Sequence, residues 1–260
     1  MILRVISDLH YEFYETPRKK QQFWLKFREW AGNVQPNDVL LLAGDLCTAF
    51  NSTGPNRAYE ELLTALRGMF GQVIFVAGNH EYYGSSGSRA AVVQRLEQIA
   101  QATGCVFLHR KSIQLSEQLA ISGATLWSHI DSAAVASMND FHPKNGFSAR
   151  AEYIAEHLAD VAWLSQLRVA TPHHVILTHH LPSLKLIHPK YDKPELAALN
   201  TGFATDILPK LDLTGVDYIF SGHTHEHVSY QANNTLCFVN PLGYPGEPRT
   251  TKLQRGEFEV

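Results

Sequence analysis

The sequence is poor in several features that commonly identify a protein class. Only three of its 260 residues are cysteine, Cys47, Cys105 and Cys237. They are odd in number, far apart and in no C-x-x-C pair, which excludes a disulfide framework and a thiolate zinc knuckle. No apolar run reaches transmembrane length. The first such run, "MILRVI", meets the polar "SDLH" by residue 10, too early for the apolar core and cleavage site of a signal peptide. Positive charge is not in excess, since 22 Lys and Arg stand against 25 Asp and Glu, so no overall field draws long nucleic acids. No Ser/Gly-rich linker, charge run or low-complexity tract divides the chain. The expectation is therefore one domain over residues 1–260, a reducing cytoplasmic location, no membrane partner, and a small anionic substrate rather than nucleic acid.

Histidine, by contrast, is abundant, with 14 copies, and imidazole is the commonest metal-binding side chain. Where the histidines lie depends on the strands. "ILRVI", "DVLLLAGD", "QVIFVAGNH", "HVILTHH" and "VDYIFSGHTH" each carry a short apolar run bounded by polar residues, the pattern of a buried strand. Helical spacing fills "RKKQQFWLKFREWAG" and "NRAYEELLTALRGMFG", each ending at glycine. Further helices are expected at about 86–102 and from Ser148 to about Arg168. "CVFLH", "SIQL" and "LAISGATLW" read as strands, and "HVSYQ", "TLCFVN" and "GEFEV" as antiparallel finishing strands. Two packed sheets flanked by helices accommodate both the alternating first third and the later antiparallel strands.

Five separate strands deliver a metal-competent side chain at the carboxyl end: Asp8 and His10, Asp45, Asn79 and His80, His179 and His180, and His223 and His225. Ligands of open α/β sheets bind outside the carboxyl ends of strands, so these residues are expected to converge. In an extended segment residues i and i+2 share a side, which predicts that Asp8 aligns with His10 and His223 with His225, each pair clasping one ion. Taken singly, an Asp after a strand is an ordinary turn former, and Asn79 an ordinary turn residue. Recurrence at every strand end is what points to a metal site.

The motifs DLH at 8–10, GD at 44–45, GNHE at 78–81, THH at 178–180 and GHTH at 222–225 resemble, in order and spacing, the calcineurin-like metallophosphoesterases, over nearly the whole chain. That resemblance implies a four-layer α/β/β/α sandwich and a two-metal phosphoester hydrolase. Carried over by position, it implies that Asp8, His10 and His225 hold one ion, that Asn79, His179 and His223 hold the other, and that Asp45 bridges them. A carboxylate has two oxygens with which to do so. It makes His80 a non-ligand histidine that stabilises charge or protonates the leaving alkoxide. In one place the chain departs from the family: GD continues into "LCTAF" where many relatives carry acidic or small residues.

The ligand set contains carboxylate, imidazole and amide oxygen and no thiolate, which is compatible with two divalent or trivalent ions of manganese, iron or zinc. Two cations that lower the pKa of a shared water and orient it for in-line attack on phosphorus give a phosphomonoesterase or phosphodiesterase. Glu81 is expected either to orient a histidine or to sit exposed at a helix start. Cys47 reads as a small buried hydrophobe and His227 as a strand-surface residue. Tyr82 and Tyr83 serve either to stack on a base or to pack. The loops "MNDFHPKNGF" and "LPSLKLIHPKYDKPEL" are expected to carry specificity, with His142, Lys144, His188 and Lys190, and His180 behind them, as candidate substrate contacts. Two alternatives remain: a nuclease of the same family, and a catalytically silent interaction scaffold on the same fold.

Overall fold

The computed structural model describes residues 1–85, 88–248 and 250–259. In chain order its elements are β1 (Ile2–Ile6), α1 (Pro17–Ala31), β2 (Val39–Ala43), β3 (Phe50–Asn51), β4 (Gly54–Pro55), α2 (Arg57–Arg67), β5 (Gln72–Val76), α3 (Arg89–Thr103), β6 (Val106–Phe107), β7 (Lys111–Gln114) and β8 (Leu119–Gly123). There follow α4 (Arg150–Ser165), β9 (His173–Leu177), α5 (Ala197–Asn200), β10 (Val216–Ser221), β11 (Val228–Ala232), β12 (Thr235–Val239) and β13 (Glu257–Glu259). One sheet has the order β13-β1-β2-β5-β6, the other β11-β12-β10-β9-β8-β7, and β3 pairs with β4 in a small hairpin.

The continuous apolar runs exist because the central strands are covered on both faces. In β2, Leu40 and Leu42 pack outward with Phe23 and Phe27 of α1, Leu62 of α2 and Leu96 of α3. Val39, Leu41 and Ala43 pack inward against Ile121, Val175, Leu177 and Phe220 of the other sheet. A third cluster joins Ile176 and Ile219 to Leu164 of α4 and to Leu186 and Ile207. The layers therefore run helix, sheet, sheet, helix, as the resemblance implied. Each such large side chain contributes about 1.5–3 kcal/mol on burial.

Helix ends follow local chemistry. The Thr16 side chain caps α1 by accepting from the Lys19 N–H, Pro17 opens the helix, and Gly32 closes it with φ 60°, a conformation that favours glycine. The long helix expected over 148–168 is shorter, Arg150–Ser165, because Ser148 lies outside it and donates to the Glu152 carboxylate. The helix expected from residue 86 is α3, and positions 86 and 87 lie outside the described residues. "CVFLH" pairs only over Val106–Phe107, and "LAISGATLW" stops at Gly123. One expectation needs correction. β12 runs antiparallel to β11 but parallel to β10, and β13 joins the first sheet, antiparallel to β1. Val260 of "GEFEV" lies outside the described residues. Among the described residues no helix is long and apolar enough to cross a membrane.

Strand direction positions the site. β1, β2 and β5 are parallel neighbours, and so are β9 and β10. Their carboxyl ends are tied together by Asp8 N–H donating to the Gly44 carbonyl (3.0 Å) and Gly222 N–H to the His179 carbonyl (3.0 Å).

Candidate metal centre

Five of the expected donors leave their strands with left-handed backbone: Asp8 (φ 54°), His10 (46°), Asp45 (55°), His223 (75°) and His225 (52°). Such conformations cost a non-glycine residue about 1–3 kcal/mol each and persist where the surroundings fix them. Here His10 N–H donates to the Asp45 carbonyl and Gly243 N–H to the Asp8 carbonyl, both at 3.0 Å. The extended-segment expectation is therefore wrong in its reason and half wrong in its result. Asp8 and His10 do converge. His223 and His225 part company, because the turn between them sends His225 to Asp8 and His10, and His223 to Asp45 and His179.

The donor atoms are close. His10 Nε2 and His225 Nε2 are 2.9 Å apart, and His225 Nε2 is 3.5 Å from Asp8 Oδ1. On the other side His179 Nε2 lies 3.2 Å from His223 Nδ1 and 3.4 Å from Asp45 Oδ1. Asp45 Oδ2 is 3.8 Å from His10 Nε2. One Asp45 oxygen thus faces each group. His10, Asp45 and His80 form a third close set.

Asn79 shows whether a cation fits. As oriented, its Oδ1 meets acceptors: 3.0 Å from His179 Nε2 and 3.2 Å from His223 Nδ1 and both Asp45 oxygens. Its Nδ2 donates to the Tyr83 hydroxyl at 2.8 Å. Turning the amide would satisfy those acceptors by donation; a cation at their focus satisfies them as they stand. Two of the outer ring nitrogens agree. His179 Nδ1 donates to the Ala43 carbonyl (2.8 Å) and His225 Nδ1 to Glu247 (2.7 Å). A proton fixed on the outer nitrogen leaves a lone pair on the inner one, the tautomer a metal needs.

Electrostatics carries the same message. Burial disfavours charge on His179, yet Asp45 pushes it up to about 9. His225 is likewise opposed by burial but pushed up to about 10 by Asp8 and Glu247. Burial also opposes ionisation of Asp45, but His179 and His80 hold its carboxyl well below the usual range. The centre demands positive charge, and cations supply it.

His80 stands beside this set rather than in either group of three on which the two sides converge. Its backbone N–H donates to Asp45 Oδ1 (2.8 Å), its Nδ1 is 2.8 Å from Glu12, and its Nε2 is 3.0 Å from the Tyr244 hydroxyl. Burial pulls its pKa down, but Asp45 and Glu12 outweigh that and raise it.

Glu81 fulfils neither expectation. Fully buried, it accepts from the backbone N–H groups of Asp45 (3.1 Å), Leu46 (2.8 Å) and Gly78 (2.7 Å) and from the Tyr59 hydroxyl (3.0 Å). Burial, with Asp45 nearby, pushes it up to about 7. It braces the turn that "LCTAF" leaves without an acidic neighbour. Gly78 is required beside it, because a Cβ there would lie 2.2 Å from Asp45 Oδ1.

A cavity of about 320 Å³ opens on this edge. Its lining includes Asp45, Asn79, His80, Tyr83, His223 and His225. The expected substrate contacts do not line it. His142 and Lys144 are exposed. His188 Nδ1 accepts from the Lys190 N–H, and the Lys190 ammonium pairs with buried Glu226. His180 is fully buried, 3.0 Å from the Tyr153 hydroxyl and packed on Trp127. The expected loops do reach the cavity, but through Asn139, Asp140 and Tyr191, and Asn200 of α5, beyond both loops, joins them. Tyr82 packs on Trp127, Cys47 belongs to the outer core, and the His227 ring donates to the Val239 carbonyl (2.8 Å). Sequence reasoning missed Glu12, Tyr244 and Glu247. Glu12, two residues after His10, was the one with a local signal.

The family model described as calcineurin-like phosphoesterase matches residues 1–227. Among solved structures, a phosphopantetheinyl hydrolase from Mycobacterium tuberculosis superposes with a TM-score of 0.66 at 19% identity, over 94% of this chain and 89% of that one. GAP50, described as the anchor in the inner membrane complex of Plasmodium, gives 0.50 at 12% identity, over 100% and 77%. A dimetal phosphatase from Danio rerio gives 0.47 at 14%, over 93% and 87%. No curated protein matches.

Proposed function

The chain belongs to the calcineurin-like phosphoesterase family, and on that premise we propose that it hydrolyses a small phosphomonoester or phosphodiester with two metal ions. The observation that carries this reading is the convergence of Asp8, His10 and His225 on one side of Asp45 and of Asn79, His179 and His223 on the other. In this proposal each group holds one ion and Asp45 is shared. The absence of thiolate from the set suits manganese, iron or zinc. Bound there, the cations would supply Lewis acidity toward the phosphoryl oxygens and a nucleophilic water at neutral pH.

The chain's own contribution is placement. Asp45 sets the spacing by giving one oxygen to each side. Glu12 and Tyr244 hold the His80 ring by its two nitrogens. In the proposed role His80 gives a proton to the leaving oxygen as the P–O bond breaks, and Asp45 and Glu12 favour the protonated ring that this requires. The His10 and Tyr244 rings pack at a tilt of 31° with centres 4.2 Å apart, which limits sideways motion of both.

The fold is shared with an anchor protein, so architecture alone does not select hydrolysis; the complete donor set does. Among the described residues no lysine or arginine lines the cavity, which disfavours long nucleic acid, a ligand bound chiefly through its phosphates. The test is metal analysis combined with assays on p-nitrophenyl phosphate and bis(p-nitrophenyl) phosphate, each with manganese, zinc and iron. Roughly two ions per chain and turnover of at least one ester are expected. A chain that binds both ions and cleaves neither ester refutes the reading.

A further inference from the structure

The cavity has a second part that phosphoryl chemistry does not use. Met138, Leu196, Leu199 and Phe203 line it while only half-buried, and Ile187 joins them. The Phe203 ring lies 4.7 Å from the His223 ring, so this apolar wall is continuous with the metal edge. Besides Asp45, two carboxylates line the space. Glu247 is committed to His225. Asp140 is 1% exposed and its Oδ2 has no hydrogen-bond partner. A buried acceptor left unpaired costs about 1–3 kcal/mol, and because Asp140 lines the cavity a ligand donor that reaches this oxygen would remove that cost. No lysine or arginine among the described residues lines the space to balance a further anion. The nearby Lys190 is occupied by Glu226.

Resting on the phosphoester-hydrolase reading, we propose that the leaving group is an uncharged alcohol with an apolar body and a hydrogen-bond donor, such as an amide N–H, that Asp140 accepts. An alcohol carrying a carboxylate or a second phosphate would set that charge against an apolar wall and two acidic side chains, with no lysine or arginine among the lining residues to balance it. Asp140 and the apolar wall are then specificity determinants. The metal edge is indifferent to the identity of the alcohol.

The test compares three phosphomonoesters of alcohols of matched acidity in the manganese-loaded protein: an N-acylethanolamine phosphate, a plain alkyl phosphate and 3-phosphoglycerate. Binding of the corresponding phosphonates is measured in parallel. The expected order of kcat/KM and of affinity is acylethanolamine, then alkyl, then phosphoglycerate, with about tenfold or more between first and last. Asp140→Ala is expected to cost the acylethanolamine ester about tenfold more than the alkyl ester. Leu199→Lys is expected to move the phosphoglycerate-to-alkyl ratio about tenfold toward the anion. Equal or better handling of phosphoglycerate by the natural chain, or equal losses for both esters in Asp140→Ala, overturns the proposal. The phosphonates separate it from the reading beneath it. Ranked binding without turnover leaves the pocket's selectivity standing and removes the hydrolase, whereas turnover of all three esters with unranked binding does the reverse.

Discussion

The two parts of the cavity are built differently. At the metal edge the side chains sit on the first turn after core strands, all but His225 buried and five of the seven with left-handed backbone, and the loops are bonded to one another through their own peptide groups. The apolar wall comes from long connections in which the chain makes short 3-10 turns at Val135–Ser137, Asn139–Phe141, Leu184–Leu186 and Pro194–Leu196. The turns close on their own local peptide bonds, and the connections around them are joined both by peptide bonds such as Leu181 N–H to the Phe203 carbonyl (3.0 Å) and by side-chain bonds such as His129 N–H to Thr205 Oγ1 and Asp131 N–H to Thr201 Oγ1, both 2.7 Å. The strand ends thus fix the chemistry, and the loops can change specificity without disturbing it.

The sharpest way to break this contrast is Asp45→Asn. It removes the charge both groups share, and we expect turnover to fall about a thousandfold or more, with metal content falling too. A variant with natural metal content and rate would show that Asp45 is not shared. Next in size is Gly78→Ala, whose Cβ would meet Asp45 Oδ1 at 2.2 Å. Metal affinity measured by chelator competition should fall roughly ten- to a hundredfold. The same substitution at Gly202, on the wall side, meets the flexible Met138 Sδ at 2.9 Å and should change metal affinity by about twofold at most. Similar losses at the two glycines would erase the distinction between edge and wall.

Glu81→Gln probes the brace behind the edge. A glutamine turns one acceptor into an NH₂ that faces backbone N–H groups, so stability measured by urea unfolding in chelator should drop by about 1–3 kcal/mol. An unchanged midpoint would mean that Glu81 is carried neutral and its bonds are dispensable.

These residues also show what could be read in the sequence. The donors were legible because each follows an apolar strand by two to four positions, and parallel strands bring such positions together whatever the loops do. Left-handed φ at Asp8 or His225 was not legible, since Asp and His adopt it more often than most residues but still at a minority of positions, and tertiary contacts select which. Glu247 and Tyr244 were invisible for another reason. They support His225 and His80 from a connection near the end of the chain, and no local pattern marks a distant partner. His142, Lys144, His188 and Lys190 were chosen for their charge, in the right loops, but the direction of a loop side chain is set by turns that the sequence did not reveal.

Lys190 gives the smallest and most discriminating test of the contrast. Sequence reasoning made it a substrate contact, while the structure ties it to Glu226, a buried carboxylate between His225 and His227 that also accepts from the N–H groups of Thr250 (2.9 Å) and Thr251 (2.8 Å). Tyr191, the next residue, lines the cavity. Replacing Lys190 by methionine keeps the length of the side chain beside the Tyr191 ring and removes the charge. Glu226 keeps its backbone donors, and the Lys190 side chain is partly exposed, so solvent screens much of the lost attraction. If Lys190 is a latch, KM should rise about two- to fivefold for every ester, by loosening Tyr191, with metal content and kcat held. If it were a substrate contact, the loss would fall on anionic alcohols and spare neutral ones. A uniform rise in KM therefore assigns Lys190 to the support of the wall, and a charge-selective one returns it to the substrate.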